Sequence, residues 1–340
     1  MVILSLINQK GGCGKTTTAV NLSYALANEG NSVLLIDLDP QAHATFSLGI
    51  KPKLTTADLF ENIISSKQFD FRESLITRAN NLYVLPSSIG LSGIEHALGQ
   101  ADNKLDILHN FLSKYSSSFD YCIIDCPPNL GVLTLNALIS STYIIAPIGI
   151  CELSLKGIEN LNNILNMLAE HTGKKTDVFY LITQLDGRYN FAKNFYKKAR
   201  DIFGKRLLST AIRTNINLRE AAANGMSIFE YKKYSRGSQD YKQLAVEIKS
   251  ILRKPSLAKF LLKGKEFSDV YLVGEFNNWD QNEDYKLKKV SSDTWEINLR
   301  LNKGKYRYKF VVDGKWINDP ENNSVEDDAF GGKNSIKIIN

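Results

Sequence analysis

The chain has 340 residues, of which 42 are Lys or Arg, 36 are Asp or Glu and 43% are hydrophobic, and its net charge is +6. This composition excludes a mainly disordered or fibrous chain, and no run of 18 apolar residues offers a membrane-spanning helix. The length exceeds what one hydrophobic core usually fills, so two domains are expected. The start lacks secretory-signal features and the four cysteines lack disulfide or metal spacing, so we expect a reducing cytoplasm.

The charge is distributed unevenly along the chain. Residues 1–173 carry 10 basic and 15 acidic side chains, residues 174–265 carry 21 and 7, and residues 266–340 carry 11 and 14. A basic block therefore lies inside an otherwise acidic chain. Such asymmetry favours a polyanionic partner or an anionic surface, with a solvated helix face as the alternative.

The first 250 residues alternate short apolar runs with longer helix-like stretches. The runs rich in Val, Ile and Leu predict buried strands, and they are VILSLI, SVLLIDL, LYVLP, YCIIDC, YIIAPI and VFYLIT. The helix-like stretches cover 15–29, 102–115, 154–171 and 190–203. This order predicts an α/β domain with a doubly wound, mostly parallel sheet.

The first strand runs directly into NQKGGCGKTTT and then into a helical stretch. Glycine lets backbone N–H groups approach phosphate oxygens, and the glycines here are Gly11, Gly12 and Gly14. Lys15 can neutralise the β- and γ-phosphates, and the Thr16 hydroxyl can ligate Mg²⁺. Gln9 occupies the position where the usual phosphate-loop pattern has its first glycine. The context still predicts a P-loop NTPase.

Further motifs extend this pattern across the domain. They are KGGCGKTT with its additional Lys10, LLIDLDPQ at 34–41, YCIIDCPPNLG at 121–131, VLTLNAL at 132–138, and NINLREAAANGMSIFEYKKYSRGSQDYKQLAVEI. Residues 1–252 thereby resemble the deviant Walker A ATPases of the ParA/MinD family.

The resemblance implies an ATPase that uses ATP and Mg²⁺ and forms a homodimer around two nucleotides. Lys10 would reach the partner subunit's nucleotide, Lys15 would bind phosphate, and Asp39 would position the attacking water. Thr16, Asp37 and Asp125 would support Mg²⁺, although Asp37 and Asp39 are also plausible strand-end caps. The implied nucleotide-contacting residues are Gly11, Gly12, Cys13, Gly14, Lys15, Thr16, Thr17 and Asn215.

This sequence departs from the family pattern at the residues expected to contact the adenine base. Asn215 occupies the position of the family asparagine that contacts adenine, but it follows Arg213 and Thr214 where the family has Pro and Arg. Cys13 replaces a small aliphatic residue, which indicates simple packing of the loop.

ParA-type dimers bind DNA without sequence preference, and the basic block offers the cations that phosphate contacts require. Arg188 matches a family DNA-binding arginine. A second family arginine falls at Asn217, where the contact is lost, and Arg219, two residues on, would substitute for it if it lies on the same face. The predicted DNA-binding residues are Arg188, Arg219, Lys232, Lys233 and Arg236. The resemblance further implies nucleoid association and a ParB-like stimulating partner.

A second domain is predicted over 268–340, because all three tryptophans and a series of short, often alternating strand-like stretches lie there. This pattern predicts a small all-β, immunoglobulin-like sandwich. Residues 253–267 are expected to be a linker, with a short packed helix favoured over a membrane-surface helix.

The motifs VYLVGEFNNWD, KGKYRYKFVVDGKWINDPEN and GGKNSIKII resemble the family 48 carbohydrate-binding module of the AMP-activated kinase β subunit. The resemblance implies α-glucan binding, with Trp279 and Trp316 stacking on sugar rings and with Lys309 and Asn334 bonding hydroxyls. Trp295 is expected in the core. A protein-contact role for this module is the alternative.

Three functions stay open from the sequence. The first is a ParA-type ATPase that partitions or positions DNA or another cargo. The second is a nucleotide-switched scaffold that regulates polysaccharide metabolism or an envelope complex. A metabolic kinase or reductase-type P-loop enzyme is the third, and the pairing of Lys10 with DLDPQ disfavours it.

Overall fold

A computed structural model describes residues 1–67, 70–100, 104–151, 153–173, 176–252, 256–301, 304–328 and 331–339. It divides into two compact units, Met1–Lys249 and Ser250–Asn340. Each unit has its own buried core.

The described part of the first unit is built on a seven-stranded sheet in the order β3-β4-β2-β5-β1-β6-β7. Its strands are β1 Val2–Leu6, β2 Val33–Asp37, β3 Ile76–Ala79, β4 Leu82–Leu85, β5 Tyr121–Asp125, β6 Tyr143–Gly149 and β7 Asp177–Thr183. All neighbours are parallel except β3 and β4. The doubly wound, mostly parallel sheet is therefore confirmed.

Helices connect these strands and cover the sheet. They are α1 Lys15–Asn28, α2 His43–Ser47, α3 Thr56–Ile64, α4 Leu91–Gln100, α5 Ile107–Lys114, α6 Val132–Ser140, α7 Leu153–Thr172, α8 Asn190–Phe203, α9 Ile216–Ala223, α10 Ile228–Tyr231 and α11 Arg236–Ile251. Strands β2 and β5 are buried at every position because both faces of the sheet are covered. The six predicted strands are all present.

The second unit consists of antiparallel sheets. One sheet has the order β10-β11-β8, and the other has β13-β12-β15-β14 with β9 paired to β12. The strands are β8 Ser256–Lys263, β9 Val270–Gly274, β10 Lys288–Lys289, β11 Thr294–Leu301, β12 Gly304–Val312, β13 Lys315–Ile317, β14 Val325–Asp327 and β15 Lys333–Ile339. Trp295 lies in the core of this unit, as predicted. The small β domain is confirmed.

The predicted linker over 253–267 is corrected by the structure. Strand β8 occupies most of that range and pairs with β11 along its whole length. Phe260 and Leu262 point into the core, whereas Leu257 is 67% exposed and Leu261 is partly exposed. The short apolar pattern of this segment is compatible with either a helix or a strand. Its backbone pairing with β11 makes it a strand. Residues 253–255 of the predicted linker lie outside the described residues.

Candidate nucleotide and carbohydrate sites

The phosphate loop lies where three central strands end together. Strand β1 leads into the loop, and its last residue Leu6 is in register with Asp125 at the end of β5. Asp125 is in register with Asp37 at the end of β2. Helix α1 begins at Lys15, immediately after the loop. The carboxyl ends of central strands in an open α/β sheet are where ligands bind.

The loop has the backbone geometry that its glycines permit. Gly12 and Gly14 have φ values of 71° and 91°, in the left-handed region that favours glycine. Lys15 is only 7% exposed, and Cys13 is buried within the loop. Lys10 is exposed, and its backbone N–H donates to Asn8 Oδ1 at 3.0 Å.

Two further residues, one at the end of β7 and one immediately after it, support the loop. The Thr183 hydroxyl donates to the Cys13 carbonyl at 2.7 Å, and Gln184 Nε2 donates to the Gly12 carbonyl at 2.7 Å. Gln184 has a φ of 56°. These contacts hold the Cys13 and Gly12 carbonyls in place and so fix the path of the loop backbone.

Asp125 is fully buried, and neither carboxylate oxygen has a hydrogen-bond partner among the described residues. Burial raises the pKa of Asp125 well above its ordinary value, and the charge of Asp37 raises it further. The nearby Thr16 hydroxyl and Lys15 ammonium lower that pKa. A buried carboxylate without a partner destabilises the folded protein. Together with the Thr16 hydroxyl it offers the oxygen ligands that Mg²⁺ prefers.

Asp37 differs from Asp125 in being fully engaged. Its Oδ2 accepts from the Thr45 N–H at 2.8 Å and from the Thr45 hydroxyl at 2.7 Å, and its Oδ1 accepts from the Asp39 N–H at 3.2 Å. Burial raises the pKa of Asp37 to about 6. Asp39 is 6% exposed, and its Oδ1 accepts from the Gln41 N–H at 2.9 Å. The structure thus places Asp37 in the network that orders the start of α2.

A cavity of about 190 Å³ adjoins the phosphate loop. Its lining includes Gly14, Thr17, Thr183, Arg213, Asn215 and Arg219. The Asn215 side-chain oxygen caps α9 by accepting from the Asn217 N–H at 3.0 Å. Arg213 forms a bidentate ion pair with the buried Asp240. The predicted base-contacting Asn215 therefore does line a cavity beside the loop.

The predicted DNA-binding residues have different surroundings. Arg188 is exposed but ion-paired with Asp186 at 2.6 Å. Arg219 lines the cavity beside the phosphate loop, whereas Lys232 Nζ donates to Asn217 Oδ1 at 3.3 Å. Lys232 is thus a cation in contact with Asn217, and Arg219 stays a predicted DNA-binding residue. Lys233 is exposed on the turn after α10, and Arg236 is exposed at the start of α11.

In the second unit, the four predicted carbohydrate residues line one cavity of about 560 Å³. The Trp279 and Trp316 rings are stacked, with centroids 6.3 Å apart and an angle of 28° between the planes. Lys309 on β12 and Asn334 on β15 contribute the polar wall, and Asn334 is 7% exposed. Aromatic faces beside fixed polar groups suit a sugar ring.

Other residues, which the sequence motifs do not identify, hold these four side chains in position. Asn277 accepts from the Gly274 N–H at 2.9 Å and donates to the Leu272 and Asp280 carbonyls, which builds the turn before Trp279. Asp328 Oδ2 pairs with Lys309 Nζ at 2.6 Å, and its Oδ1 accepts from the Gly332 N–H at 2.8 Å. The cavity also includes Glu275, Arg307 and Asp327.

Among the described residues, none of the helices combines the length and apolar character that crossing a membrane requires. The fold and the loop define the first unit as a P-loop nucleotide-binding domain. Residues 1–178 match the family described as "AAA domain", and residues 261–340 match the "Glycogen recognition site of AMP-activated protein kinase".

Curated relatives match a longer part of the chain, about 250 residues. The sporulation initiation inhibitor protein Soj of Bacillus subtilis is 36% identical over 250 residues, which are 72% of this chain and 97% of Soj. The chromosome partitioning protein ParA of Myxococcus xanthus is 34% identical over 251 residues, 72% of this chain and 87% of that protein. The chain belongs to the ParA/Soj branch of the ParA/MinD-type P-loop ATPases.

Solved structures share the fold of the first unit. Cobyrinic acid a,c-diamide synthase of Mycobacterium smegmatis, solved with an ATP analogue and magnesium, is 29% identical, with a TM-score of 0.62 over 74% of this chain and 95% of that chain. The septum site-determining protein MinD of Pyrococcus horikoshii, solved with Mg-ADP, has a TM-score of 0.61 over 74% of this chain and 97% of that chain. At 23% identity, MinD supports the fold alone.

Proposed function

We propose that the first unit binds and hydrolyses ATP with Mg²⁺ and uses the nucleotide to control dimerisation and non-specific DNA binding. The observation that carries the proposal is the buried, unpartnered Asp125 carboxylate beside Thr16 and Lys15 at the phosphate loop. This donor set fits a magnesium–nucleotide complex. The similarity to a relative named for chromosome partitioning also supports ATP-controlled DNA binding.

Each residue of the site has a defined task in this proposal. Thr16 and Asp125 would hold Mg²⁺, which neutralises phosphate charge when it is bound. Lys15 stabilises the charge on the β- and γ-phosphates, and Asp39 orients the attacking water. Lys10, exposed at the loop, reaches the nucleotide of the partner subunit.

The basic surface supports the DNA-binding part of the proposal. Lys232, Lys233 and Arg236 are exposed within a few residues of one another. Exposed cations of this kind bind phosphates without reading bases. Cargo partitioning would then follow from ATP-dependent retention on DNA and release after hydrolysis, stimulated by a ParB-like partner.

ATP turnover tests the site assignment. Wild-type protein should hydrolyse ATP, and both Lys15→Ala and Asp39→Ala should lose turnover, since the first loses phosphate binding and the second loses the oriented water. Trp295→Phe in the second unit is a control that should keep wild-type turnover. Unchanged ATPase rates in both site variants would refute the assignment.

We propose a second function for the C-terminal module, which is α-glucan binding. The cavity with its stacked Trp279 and Trp316 rings favours this over a purely protein-contacting role. The chain would then link a nucleotide-switched ATPase to a polysaccharide. This linkage also accommodates a scaffold that regulates polysaccharide metabolism.

Co-sedimentation of the full chain with glycogen or amylose tests glucan binding. Wild-type protein should pellet with the glucan, and Trp279→Ala should remove it from the pellet because a stacking face is lost. Trp295→Phe serves as the matched control, since Trp295 lies in the core and not in the cavity. Wild-type protein that stays in the supernatant would refute glucan binding.

A further inference from the structure

The structure ties the exposed basic residues to the phosphate loop through helix α1. Asn21 lies one turn after Thr17, which lines the cavity beside the loop. Its Nδ2 donates to the Thr17 carbonyl at 2.8 Å, and its Oδ1 accepts from the Ile228 N–H at 2.8 Å. Asn21 is 5% exposed, so both bonds are shielded from water.

Ile228 begins α10, and the chain that follows it carries the basic residues. Ser227 and Glu230 cap this helix, and the Glu230 carboxylate also contacts Arg78 of β3 at 3.4 Å. Lys232, Lys233 and Arg236 come next and are all exposed. Asn21 therefore fixes the start of the segment that presents these cations.

The same segment returns to α1 at its other end. Tyr241 of α11 is 1% exposed, and its hydroxyl lies 3.3 Å from the Thr18 hydroxyl. The preceding Asp240 holds Arg213, which lines the cavity beside the phosphate loop. Residues 228–241 are thus anchored at both ends to groups within two helical turns of the loop.

Gly237 brings the middle of the segment against the same cavity. A Cβ atom at this position would lie 3.0 Å from Leu218 Cγ and 3.2 Å from Asn215 Nδ2, closer than side chains normally approach. The segment therefore packs directly on a residue that lines the cavity. Because these contacts leave little free space, a ligand that shifts α1 or Asn215 would also displace the 228–241 segment.

We propose that Asn21 and Tyr241 are positioning residues that couple nucleotide binding at the phosphate loop to the arrangement of the basic 228–241 segment. The inference rests on the proposed nucleotide-controlled DNA binding and names the path through which that control acts. Nucleotide orders α1, and the Asn21–Ile228 and Thr18–Tyr241 contacts pass this ordering to Lys232, Lys233 and Arg236.

Amide hydrogen exchange measures this coupling without DNA. A non-hydrolysable ATP analogue with Mg²⁺, at a saturating concentration, should slow exchange across 228–241 in wild-type protein by about 5-fold or more. Asn21→Ala and Tyr241→Phe should remove most of that nucleotide-induced change while the analogue still protects the phosphate loop. A merely structural role would alter exchange without nucleotide and leave the induced difference intact.

Asn62→Ala is a matched control, because Asn62 also lies on a helix and donates to the carbonyl four residues earlier, at Asp58. It should behave as wild type. Tyr241→Phe removes a single hydroxyl, so it remains informative if Asn21→Ala fails to fold. Equal nucleotide-induced protection in wild type and Tyr241→Phe, or none in wild type, would overturn the coupling.

Retention on DNA separates this inference from the proposed function. Both variants should lose ATP-dependent DNA retention by about 5-fold or more, whereas Asn62→Ala should keep it. A wild type that shows nucleotide-induced protection of 228–241 but retains no DNA would support the coupling and refute the DNA-binding function. Variants that keep full ATP-dependent retention would refute the coupling and support the function.

Discussion

Replacing Asp125 with asparagine should stabilise the nucleotide-free protein while abolishing its Mg²⁺-dependent nucleotide binding. Asp125 is fully buried and neither carboxylate oxygen has a partner among the described residues. A buried unsatisfied polar group costs about 1–3 kcal/mol, and more when it is charged. Asparagine leaves a neutral polar group at this position and removes only the additional cost of the buried charge, so the free energy of unfolding should rise by about 1–3 kcal/mol when Asp125 is ionised. In a domain of this size that is about 2–4 °C in Tm for each kcal/mol.

Asp37→Asn is the matched comparison because Asp37 is equally buried and lies in register with Asp125 on the neighbouring strand. Its carboxylate accepts from two N–H groups and one hydroxyl. An amide would turn one acceptor into a donor, so this variant should lose about 1–3 kcal/mol of unfolding free energy. The two isosteric substitutions should thus change stability in opposite directions.

The pH dependence has a defined sign. Because the folded-state pKa of Asp125 lies well above its ordinary 3.8, the folded protein binds this proton more tightly than the unfolded chain does. The contribution of Asp125 to stability is therefore lost as pH rises from about that ordinary value through the raised pKa. Urea unfolding with EDTA should show a larger advantage of Asp125→Asn at pH 7.5 than at pH 5. A destabilised Asp125→Asn would refute the reasoning.

Three further predictions concern the loop, the dimer and the glucan cavity. Gly14→Ala should lower stability by about 1–2 kcal/mol in urea unfolding and weaken nucleotide binding, because Gly14 has a φ of 91° and alanine is strained there; unchanged stability would contradict this. Lys10→Ala should keep the nucleotide affinity of the monomer but lose the ATP-dependent dimer in light scattering, and a persistent dimer would count against Lys10. Asp328→Asn should weaken glucan binding roughly tenfold in a titration because Lys309 loses its partner at 2.6 Å, and wild-type affinity would show that the pair does not orient Lys309.

Much of the fold was predictable because its strands are buried on both faces. Such strands appear as continuous apolar runs, and β2 and β5 are buried at every position. Strand β3 was missed because it is an antiparallel edge strand with the sequence ITRA, only partly buried. Strand β8 was missed because its pattern is decided by pairing with β11, about 40 residues later in the chain.

The candidate sites were predictable where a motif is contiguous and less so where distant segments meet. The glycines and Lys15 are recognisable within one short stretch. The support from Thr183 and Gln184 joins residues about 170 positions apart, and no local signal reports it. The position of Lys232 beside Asn217 likewise depends on how α10 follows α9, which spacing along the chain did not reveal.

The number of basic residues in the segment 174–265 overstates the number of cations that are unpaired in the folded protein. Residues 174–265 carry a large positive excess. Part of that charge is paired, as in Arg188 with Asp186 and Arg213 with Asp240. The exposed Arg188–Asp186 pair contributes little to stability, so Arg188 can exchange Asp186 for a DNA phosphate. The Asp240 carboxylate is buried and holds Arg213 in place.

The most direct test of the account is retention of a non-specific DNA duplex by the full chain with ATP, with ADP and without nucleotide, over a series of salt concentrations. We predict strong retention only with ATP and Mg²⁺, a linear fall of log affinity with log salt because phosphate contacts release counterions, and no ATP effect in Lys15→Ala. Retention that is the same in all nucleotide states would contradict the central claim that the phosphate loop controls a DNA-binding surface.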